Sequence, residues 1–249
     1  MASGGTACDK TGARRGWAGL WSGVTTWFAE LTRAPEPPPA VSIESPRLRL
    51  REFEQMDVEA IYAHRSDPEV LRYLGRTHPY SRWEISMAIS QTLQQRQQPP
   101  RANYQFGIIL AEEERLIGEC CLGLFYADLT APAADTATLG FILRREYWGR
   151  GYATEAATAL LRFAFEELQL HTVEAGCLPE NLASRRVLEK LGLVFQGLQE
   201  DFPGSPPDTQ ALVFQLDREQ WLTPHRLVDE RIREASSDTV AMACERNRP

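Results

Sequence analysis

Two glycines, Gly149 and Gly151, stand where a strand-like segment passes into the most regular helical segment of the chain. Glycine allows backbone N–H groups to turn toward one point and allows a ligand to approach closely. The free N–H groups and the positive dipole end of a helix attract an anion, and Arg144, Arg145 and Arg150 add positive charge beside them. The spacing therefore predicts a site for a phosphate-bearing ligand. Its expected binding residues are Gly149, Arg150, Gly151, Tyr152, Ala153 and Thr154.

Other phosphate-binding turns fit this segment less well. A Walker A loop requires Gly-Lys-Ser/Thr, which is absent here. A dinucleotide-binding fold requires a third small residue where Thr154 stands, and it places the turn after the first strand, whereas about four predicted strands precede this one. The remaining alternative is an ordinary strand–loop–helix connection in which the glycines only satisfy backbone geometry.

A second segment, NLASRRVLEKLGL at residues 181–193, follows the next predicted strand by a few residues. Together with YWGRGYATEA at residues 147–156, it resembles the GNAT superfamily of acyl-CoA-dependent N-acyltransferases. Within that superfamily it is most similar to the ribosomal-protein N-terminal acetyltransferases (the RimJ/RimL-like branch). The run ESPRLRLR at residues 44–51 is similar to the first strand of that branch, and the resemblance covers residues 46–221.

The resemblance implies that acetyl-CoA is the co-substrate and that no metal is required. The pyrophosphate would lie on the backbone N–H groups of residues 149–154, and the pantetheine arm would run beside Phe141, Ile142 and Leu143 as an additional strand. A backbone N–H of that strand would polarise the thioester carbonyl, an oxyanion-hole type of stabilisation. The acceptor amine would attack directly, so none of the five cysteines needs a catalytic role.

The resemblance also implies roles for two residues at the start of the second helix. Asn181 would hydrogen-bond the pantetheine arm, although its position fits a helix N-cap equally well. Ser184 would protonate the departing thiolate, the alternative being a first-turn hydroxyl without a role. Many GNAT enzymes carry a tyrosine acid four residues after this serine, where Leu188 stands here.

The general base is where the sequence departs from its relatives. Members of this branch often carry Glu at the position of Thr138, which cannot act as a base at neutral pH. Glu119 lies in an apolar strand, so burial is expected to raise its pKa and to let it serve directly or through water. Asp135 is a second candidate, and each of the two acids is alternatively a solvated side chain. A water chain would suffice for an α-amine, whose pKa of about 7.7–8.0 lies below the value of about 10.4 for lysine.

The elements that must position these residues follow the order β-α-α-α-β-β-β-α-β-α-β-β. This order predicts a single α/β (α+β) domain, and the resemblance implies a mixed central sheet flanked by helices. The helix after the glycine turn is predicted over 151–169 because apolar residues recur there at helical spacing. The other helices are predicted over 58–66, from Asp67, over 81–98 and over 181–191. The strands are predicted at 47–51, 103–111, 115–126, 136–143, 172–177, 193–202 and 209–216.

The two ends of the chain differ from the middle. Residues 1–45 are predicted to be a flexible extension that ends in a proline run, residues 46–221 the acetyltransferase domain, and residues 222–249 a partly helical tail. Within the extension, residues 16–31 form a short amphipathic pattern that would touch a membrane surface, dock on the domain or stay disordered. The preceding Arg14-Arg15 is weakly typical of an export signal, and a transit peptide is another alternative.

Composition excludes several classes of function. The net charge of −7 makes nucleic acid a poor partner. The chain contains no run of about 18 apolar residues, so no membrane span is expected. Five cysteines without CxxC spacing argue against a disulfide framework and a zinc site. They fit a reducing compartment, so we expect a cytoplasmic location. The expected oligomeric state is a monomer or a homodimer.

The expected reaction is acetyl transfer from acetyl-CoA to a primary amine. The acceptor implied by the resemblance is the N-terminal α-amine of a protein or peptide, such as a ribosomal protein, whose basic N-terminal segment an acidic domain would attract. One alternative is a small amine, such as an antibiotic, a polyamine or an amino acid. Another is a non-catalytic acyl-CoA-binding module. The acceptor pocket is expected to form from the least patterned segments, 54–102 and 198–210.

Overall fold

The computed structural model describes residues 39–223, apart from positions 75, 77, 127–133, 204 and 207. The amphipathic pattern at 16–31, most of the predicted extension and the tail from 224 therefore lie outside the described residues. Within the described part of the chain, no helix is long and apolar enough to cross a membrane.

Eight strands of the described residues form one mixed sheet, seven of which the sequence predicts. The strands are β1 (Ser42–Glu44), β2 (Leu48–Glu52), β3 (Asn103–Leu110), β4 (Arg115–Phe125), β5 (Thr136–Leu143), β6 (Thr172–Cys177), β7 (Val194–Glu200) and β8 (Gln210–Asp217). Their spatial order is β1-β2-β3-β4-β5-β6-β8-β7. Every neighbouring pair is antiparallel except β5 and β6, which run parallel.

Five α-helices of the described part connect these strands. They are α1 (Val58–Arg65), α2 (Pro68–Leu71), α3 (Arg82–Gln95), α4 (Tyr152–Arg162) and α5 (Leu182–Lys190). Short 3-10 turns occupy Gln55–Asp57 and Arg145–Tyr147, and a π-helical turn over Phe163–Glu167 extends α4. From β2 onward the predicted element order is confirmed, and the observed bounds lie within a few residues of the predicted ones.

The strand β1 was not predicted. Ser42–Glu44 pairs antiparallel with Arg49–Arg51 of β2, so the sheet begins before residue 46, where the sequence placed the start of the domain. Three residues are too few to show an alternating pattern in a sequence. The strand is instead held by its neighbour and by the N–H of Val41, which donates to Glu52 Oε2 at 2.8 Å.

Local hydrogen bonds explain where two of the helices begin. Ser81 Oγ accepts the N–H of Glu84 at 3.2 Å, and Glu84 Oε2 accepts the N–H of Ser81 at 2.7 Å, which is a capping box at the start of α3. Asp67 Oδ1 accepts the N–H of Glu69 at 2.8 Å, and Pro68 opens α2 with a fixed φ.

The sheet is covered on both faces. On one face α4 packs Ala156, Leu160 and Leu161 into the larger core cluster, and alanines at helical spacing let the helix lie close to the strands. On the other face a smaller cluster joins α1 and α3 to the sheet; its buried members are Phe53, Ile61, Ile85, Ile89, Ile109 and Leu116. The first face supports the glycine turn, and the second carries α1 and α3.

Candidate active site

An opening lies between the two parallel strands in the middle of the sheet. On one side β5 pairs with β4 from Thr136 to Leu143. On the other side it pairs with β6 only from Thr136 to Thr138. Residues 139–143 of β5 therefore have a free edge that faces the second half of β6, and an extended ligand can pair with that edge as an additional strand.

The hydrogen-bonding direction along β5 identifies which backbone groups this edge offers. The N–H of Arg144 donates to Ile117 O at 2.8 Å, toward β4, and the N–H of Thr172 donates to Asp135 O at 3.4 Å, toward β6. Because the direction alternates along an antiparallel ladder, Leu139, Phe141 and Leu143 direct their N–H and C=O groups to the free edge.

Two of the three strand residues expected to bind pantetheine thus offer their backbone to the opening. The carbonyl of Leu143 is already occupied, because it accepts the indole N–H of Trp148 at 2.9 Å. Ile142 faces Glu119 of β4 in the ladder, so its backbone points away from the free edge. The N–H of Phe141 lies in the middle of the free edge.

The glycine turn has the geometry of an anion site. Gly149 and Gly151 have positive φ angles of 73° and 81°. Among the described residues, the N–H groups of residues 149–154 have no acceptor, and the series ends with Glu155, whose N–H donates to Gly151 O at 3.0 Å. A Cβ added at Gly149 would meet no atom within 4 Å, so the space in front of the turn is open. The turn therefore presents six adjacent N–H donors to a ligand.

Arg47, which lies far from the glycine turn in the sequence, forms hydrogen bonds that hold the turn in position. Its Nε donates to Glu155 Oε2 at 2.6 Å, and its Nη1 donates to Arg150 O at 3.2 Å. Its guanidinium carbon lies 4.5 Å from the ring centroid of Tyr152. Burial raises the pKa of Glu155, but the hydrogen bonds from Arg47 and Ser45 outweigh burial and lower it. Sequence reasoning missed this residue because the contact spans more than a hundred positions.

Asn181 and Ser184 lie together at the start of α5. Asn181 Oδ1 accepts the N–H of Ser184 at 3.0 Å, so the N-cap alternative holds for this oxygen. Within the described residues the amide nitrogen of Asn181 and the hydroxyl of Ser184 have no protein partner. Leu188 is 1 % exposed and belongs to the core, so the position considered for a tyrosine acid is occupied by a packed apolar side chain.

Glu119 is buried, but the expectation of a raised pKa is wrong. Its Oε1 lies 2.9 Å from His64 Nε2 and 2.6 Å from Arg65 Nε, and its Oε2 accepts from Arg65 Nη2 at 2.7 Å. Burial raises the pKa of the carboxyl, but the charge of Arg65 and the hydrogen bonds from both neighbours outweigh it and lower the pKa to about 2. Both partners come from α1, which sequence reasoning did not connect with β4.

The other two positions considered for a base lie near the start of β5. Asp135 is exposed and directly precedes β5, so it lies at the far end of that strand from Leu143. Its Oδ1 lies 2.6 Å from His171 Nδ1. Thr138 is the last residue of β5 to pair with β6, so it stands where the opening begins. Among the described residues, no group of three or more His, Cys, Asp or Glu side chains is suited to hold a metal ion.

A cavity of about 600 Å³ adjoins the start of α5. Arg72, after α2, lines it, and so do residues of the β6–α5 and β7–β8 connections. The complete lining is Arg72, Leu178, Pro179, Glu180, Pro206, Thr209 and Gln210. Several of these residues come from the two segments in which the sequence predicts the acceptor pocket, although no individual pocket residue was predicted.

Comparisons with known proteins agree with this arrangement. The family model of the acetyltransferase (GNAT) domain matches residues 47–194. An uncharacterized N-acetyltransferase of Bacillus subtilis, YnaD, is 30 % identical over 155 residues, which cover 62 % of this chain and 84 % of that protein.

Two solved structures illustrate the range of acceptors among proteins with this fold. One is a putative ribosomal-protein-serine acetyltransferase from Vibrio cholerae, with 25 % identity and a TM-score of 0.60 over 73 % of this chain and 98 % of that one. The other is a spermidine N-acetyltransferase from Vibrio cholerae in complex with CoA and spermine, with 20 % identity and a TM-score of 0.59 over 72 % of this chain and 100 % of that one. At that identity the second likeness shows the fold alone.

Proposed function

The chain belongs to the GNAT acetyltransferase family and is an acetyl-CoA-dependent N-acetyltransferase, and on that premise we propose that its acceptor is the N-terminal α-amine of a protein or peptide. The observation that carries the cofactor part is the combination of a free β5 edge with six unpaired N–H donors at the glycine turn. The observation that carries the acceptor part is that Glu119, the buried carboxylate that faces Ile142 across the ladder, has a lowered pKa and both of its oxygens engaged.

The two parts of acetyl-CoA would bind to two different parts of the site. One is the glycine turn and the other is the free edge of β5. The pyrophosphate would accept hydrogen bonds from the N–H groups of residues 149–154, with Arg150 as a nearby counter-charge. The amides of the pantetheine arm would pair with the free backbone groups of Leu139 and Phe141. The arm would then end beside the start of α5, where the amide nitrogen of Asn181 would donate to it.

The reaction then requires one bond to form and one to break. The neutral amine attacks the thioester carbonyl carbon, and the N–H of Phe141 stabilises the oxyanion that develops. The C–S bond breaks as the tetrahedral intermediate collapses, and the Ser184 hydroxyl gives its proton to the departing thiolate. The acetylated nitrogen loses a proton to water, and solvent returns a proton to Ser184. No enzyme nucleophile takes part.

The low pKa of Glu119 favours an acceptor that needs little help from a base. A carboxylate whose pKa is about 2 is a weak base, and both of its oxygens are occupied by His64 and Arg65. We therefore assign Glu119 a positioning role and the deprotonation to water. At pH 7.5 roughly a third of an α-amine with a pKa near 7.8 is neutral, compared with roughly one lysine side chain in a thousand.

A small amine is the second candidate acceptor, because the cavity of about 600 Å³ has room for a whole molecule of that class. A polyamine, however, carries amines with high pKa values that are mostly protonated at neutral pH. Its acetylation at a useful rate would therefore depend more strongly on a base, and Glu119 is a weak one.

Thiol release from acetyl-CoA tests the proposal directly. The purified protein is given three acceptors at pH 7.5: a peptide with a free N-terminus, the same peptide with its N-terminus acetylated and one internal lysine, and spermidine. We expect release with the first acceptor only. Faster release with the lysine peptide or with spermidine would overturn the N-terminal assignment, whereas binding of acetyl-CoA without release would favour the non-catalytic alternative.

A further inference from the structure

We propose, building on the function proposed above, that Arg72 makes this enzyme prefer N-termini that carry an acidic side chain at the second or third residue. The feature that carries this inference is the pair of charges on the walls of the candidate acceptor cavity. Arg72 lies on one wall and Glu180 on another. Both side chains are exposed, and within the described residues neither forms an ion pair.

Arg72 has no carboxylate partner among the described residues. Most arginines of the described residues are in ion pairs, including its neighbours Arg65 and Arg76, which pair with Glu119 and Glu84. The guanidinium carbon of Arg72 lies 5.6 Å from the ring centroid of Tyr73, a contact that leaves its N–H donors free. An unpaired guanidinium on the wall of a cavity is a ready partner for a carboxylate.

The remaining polar side chains of the cavity are already engaged. Thr209 Oγ1 donates to Pro206 O at 2.6 Å, and Gln210 Nε2 donates to Glu200 Oε1 at 3.3 Å. The rest of the lining is Leu178 and two prolines, which offer apolar surface. The charges of Arg72 and Glu180 are therefore what this cavity offers for recognising a polar acceptor.

Glu180 and Arg72 lie at different distances along the chain from the expected position of the thioester. Glu180 immediately precedes Asn181 and lies four residues before Ser184, so its side of the cavity adjoins the expected position of the thioester. Arg72 comes from a different element, beside Tyr73, whose ring centroid lies 6.4 Å from that of Trp148. The acceptor amine would enter near Glu180, and the next residues of the acceptor would pass Arg72.

Phe202, which follows β7, attaches the start of the β7–β8 connection to the core. Phe202 is 4 % exposed and packs on Gly176 of β6, where an added Cβ would lie 2.4 Å from the phenyl ring. Phe202 also packs with Ala211 and Val213 of β8. The wall opposite Arg72 is therefore anchored to the strand that borders the acetyl-CoA site.

The test compares two peptides that differ in one charge, with Asp or Asn at the second residue and the same sequence elsewhere. With the wild-type protein we expect kcat/KM to be about twofold to fivefold higher for the Asp peptide, the upper part of the range for an exposed charge pair. Arg72→Gln should remove this ratio, and Arg72→Lys should keep part of it. Arg162→Gln, which removes an exposed, unpaired arginine from α4, should leave the ratio unchanged.

Charge reversal sharpens the test. Arg72→Glu should make a peptide with Lys at the second residue the better acceptor. Equal rates for the Asp and Asn peptides with the wild-type protein, or a ratio that persists in Arg72→Gln, would overturn this inference and leave the proposed function intact. No thiol release with either peptide would overturn the proposed function and this inference with it.

Discussion

Replacing Glu119 with Gln is the sharpest test of how this fold is held together beneath its active site. The substitution keeps the size of the side chain and removes its charge. The carboxylate is buried and contacts His64 and Arg65, and the side chain of Arg65 is itself only 22 % exposed. The variant therefore leaves a largely buried guanidinium without its counter-charge.

The lowered pKa of Glu119 and the usual cost of breaking a buried ion pair both predict a similar loss of folding free energy. The difference between the ordinary pKa of 4.5 and a pKa of about 2 corresponds to roughly 3 kcal/mol, at 1.36 kcal/mol for each tenfold change in acidity. Removal of one partner of a buried ion pair costs about 3–5 kcal/mol. We expect Glu119→Gln to lower the free energy of unfolding by about 3 kcal/mol, a large fraction of the 5–15 kcal/mol that is typical of a domain.

The same substitution should change how stability depends on pH. Because the pKa of Glu119 is lower in the folded protein than in the unfolded chain, its contribution is fully present above pH 4.5 and is lost as the pH falls toward about 2. The difference in stability between the wild-type protein and Glu119→Gln should therefore shrink over that interval. Glu155 also has a lowered pKa, but it is common to both proteins and cancels in the difference.

Urea denaturation at pH 7, followed by circular dichroism and tryptophan fluorescence, measures the effect. Glu59→Gln is the matched control, because it removes an exposed carboxylate from α1 whose partner Arg82 is also exposed. If Glu119→Gln is no less stable than Glu59→Gln, or if its deficit does not shrink as the pH falls, the buried pair does not stabilise the fold.

Three further predictions concern the site and its boundaries. Gly149→Asp adds a carboxylate where the pyrophosphate would lie, at a positive φ that an aspartate tolerates. Calorimetry should show at least tenfold weaker binding of acetyl-CoA to this variant. The control Gly192→Asp, at another glycine with a positive φ, should bind acetyl-CoA normally. Ser184→Ala should lower kcat by about 100-fold with unchanged acetyl-CoA affinity, and a wild-type kcat would reduce Ser184 to a structural residue. A chain shortened to begin at Pro39, which keeps the bond between Val41 and Glu52, should retain its turnover; loss of acetyl-CoA binding would mean that residues 1–38 belong to the functional unit.

Local patterns in the sequence determined much of the fold. The capping box at Ser81 and Glu84, the alanine spacing of α4 and the glycines around Arg150 are relations between residues a few positions apart. Helix boundaries and the geometry of a turn depend mainly on such neighbours. For this reason most of the element order and the family were predictable from the amino-acid sequence alone, and the glycine turn was predicted as an anion site.

Contacts between distant segments were decided only by the tertiary structure. Arg47 reaches Glu155, and Arg65 reaches Glu119, because β2 passes the glycine turn and α1 packs on β4. The pKa of a buried carboxyl depends on which charges surround it in space, so the strand pattern around Glu119 predicted burial correctly but the direction of the shift wrongly.

The opening between β5 and β6 is likewise determined by the tertiary structure and not by local sequence. The sequence predicts β5 and β6 as two strands, but only their pairing shows that the ladder ends at Thr138 and leaves a free edge. The cavity walls that carry Arg72 and Glu180 likewise meet only after α2 and the start of α5 have packed. Neighbouring residues determine an element, whereas strand registration and packing determine what two elements leave between them.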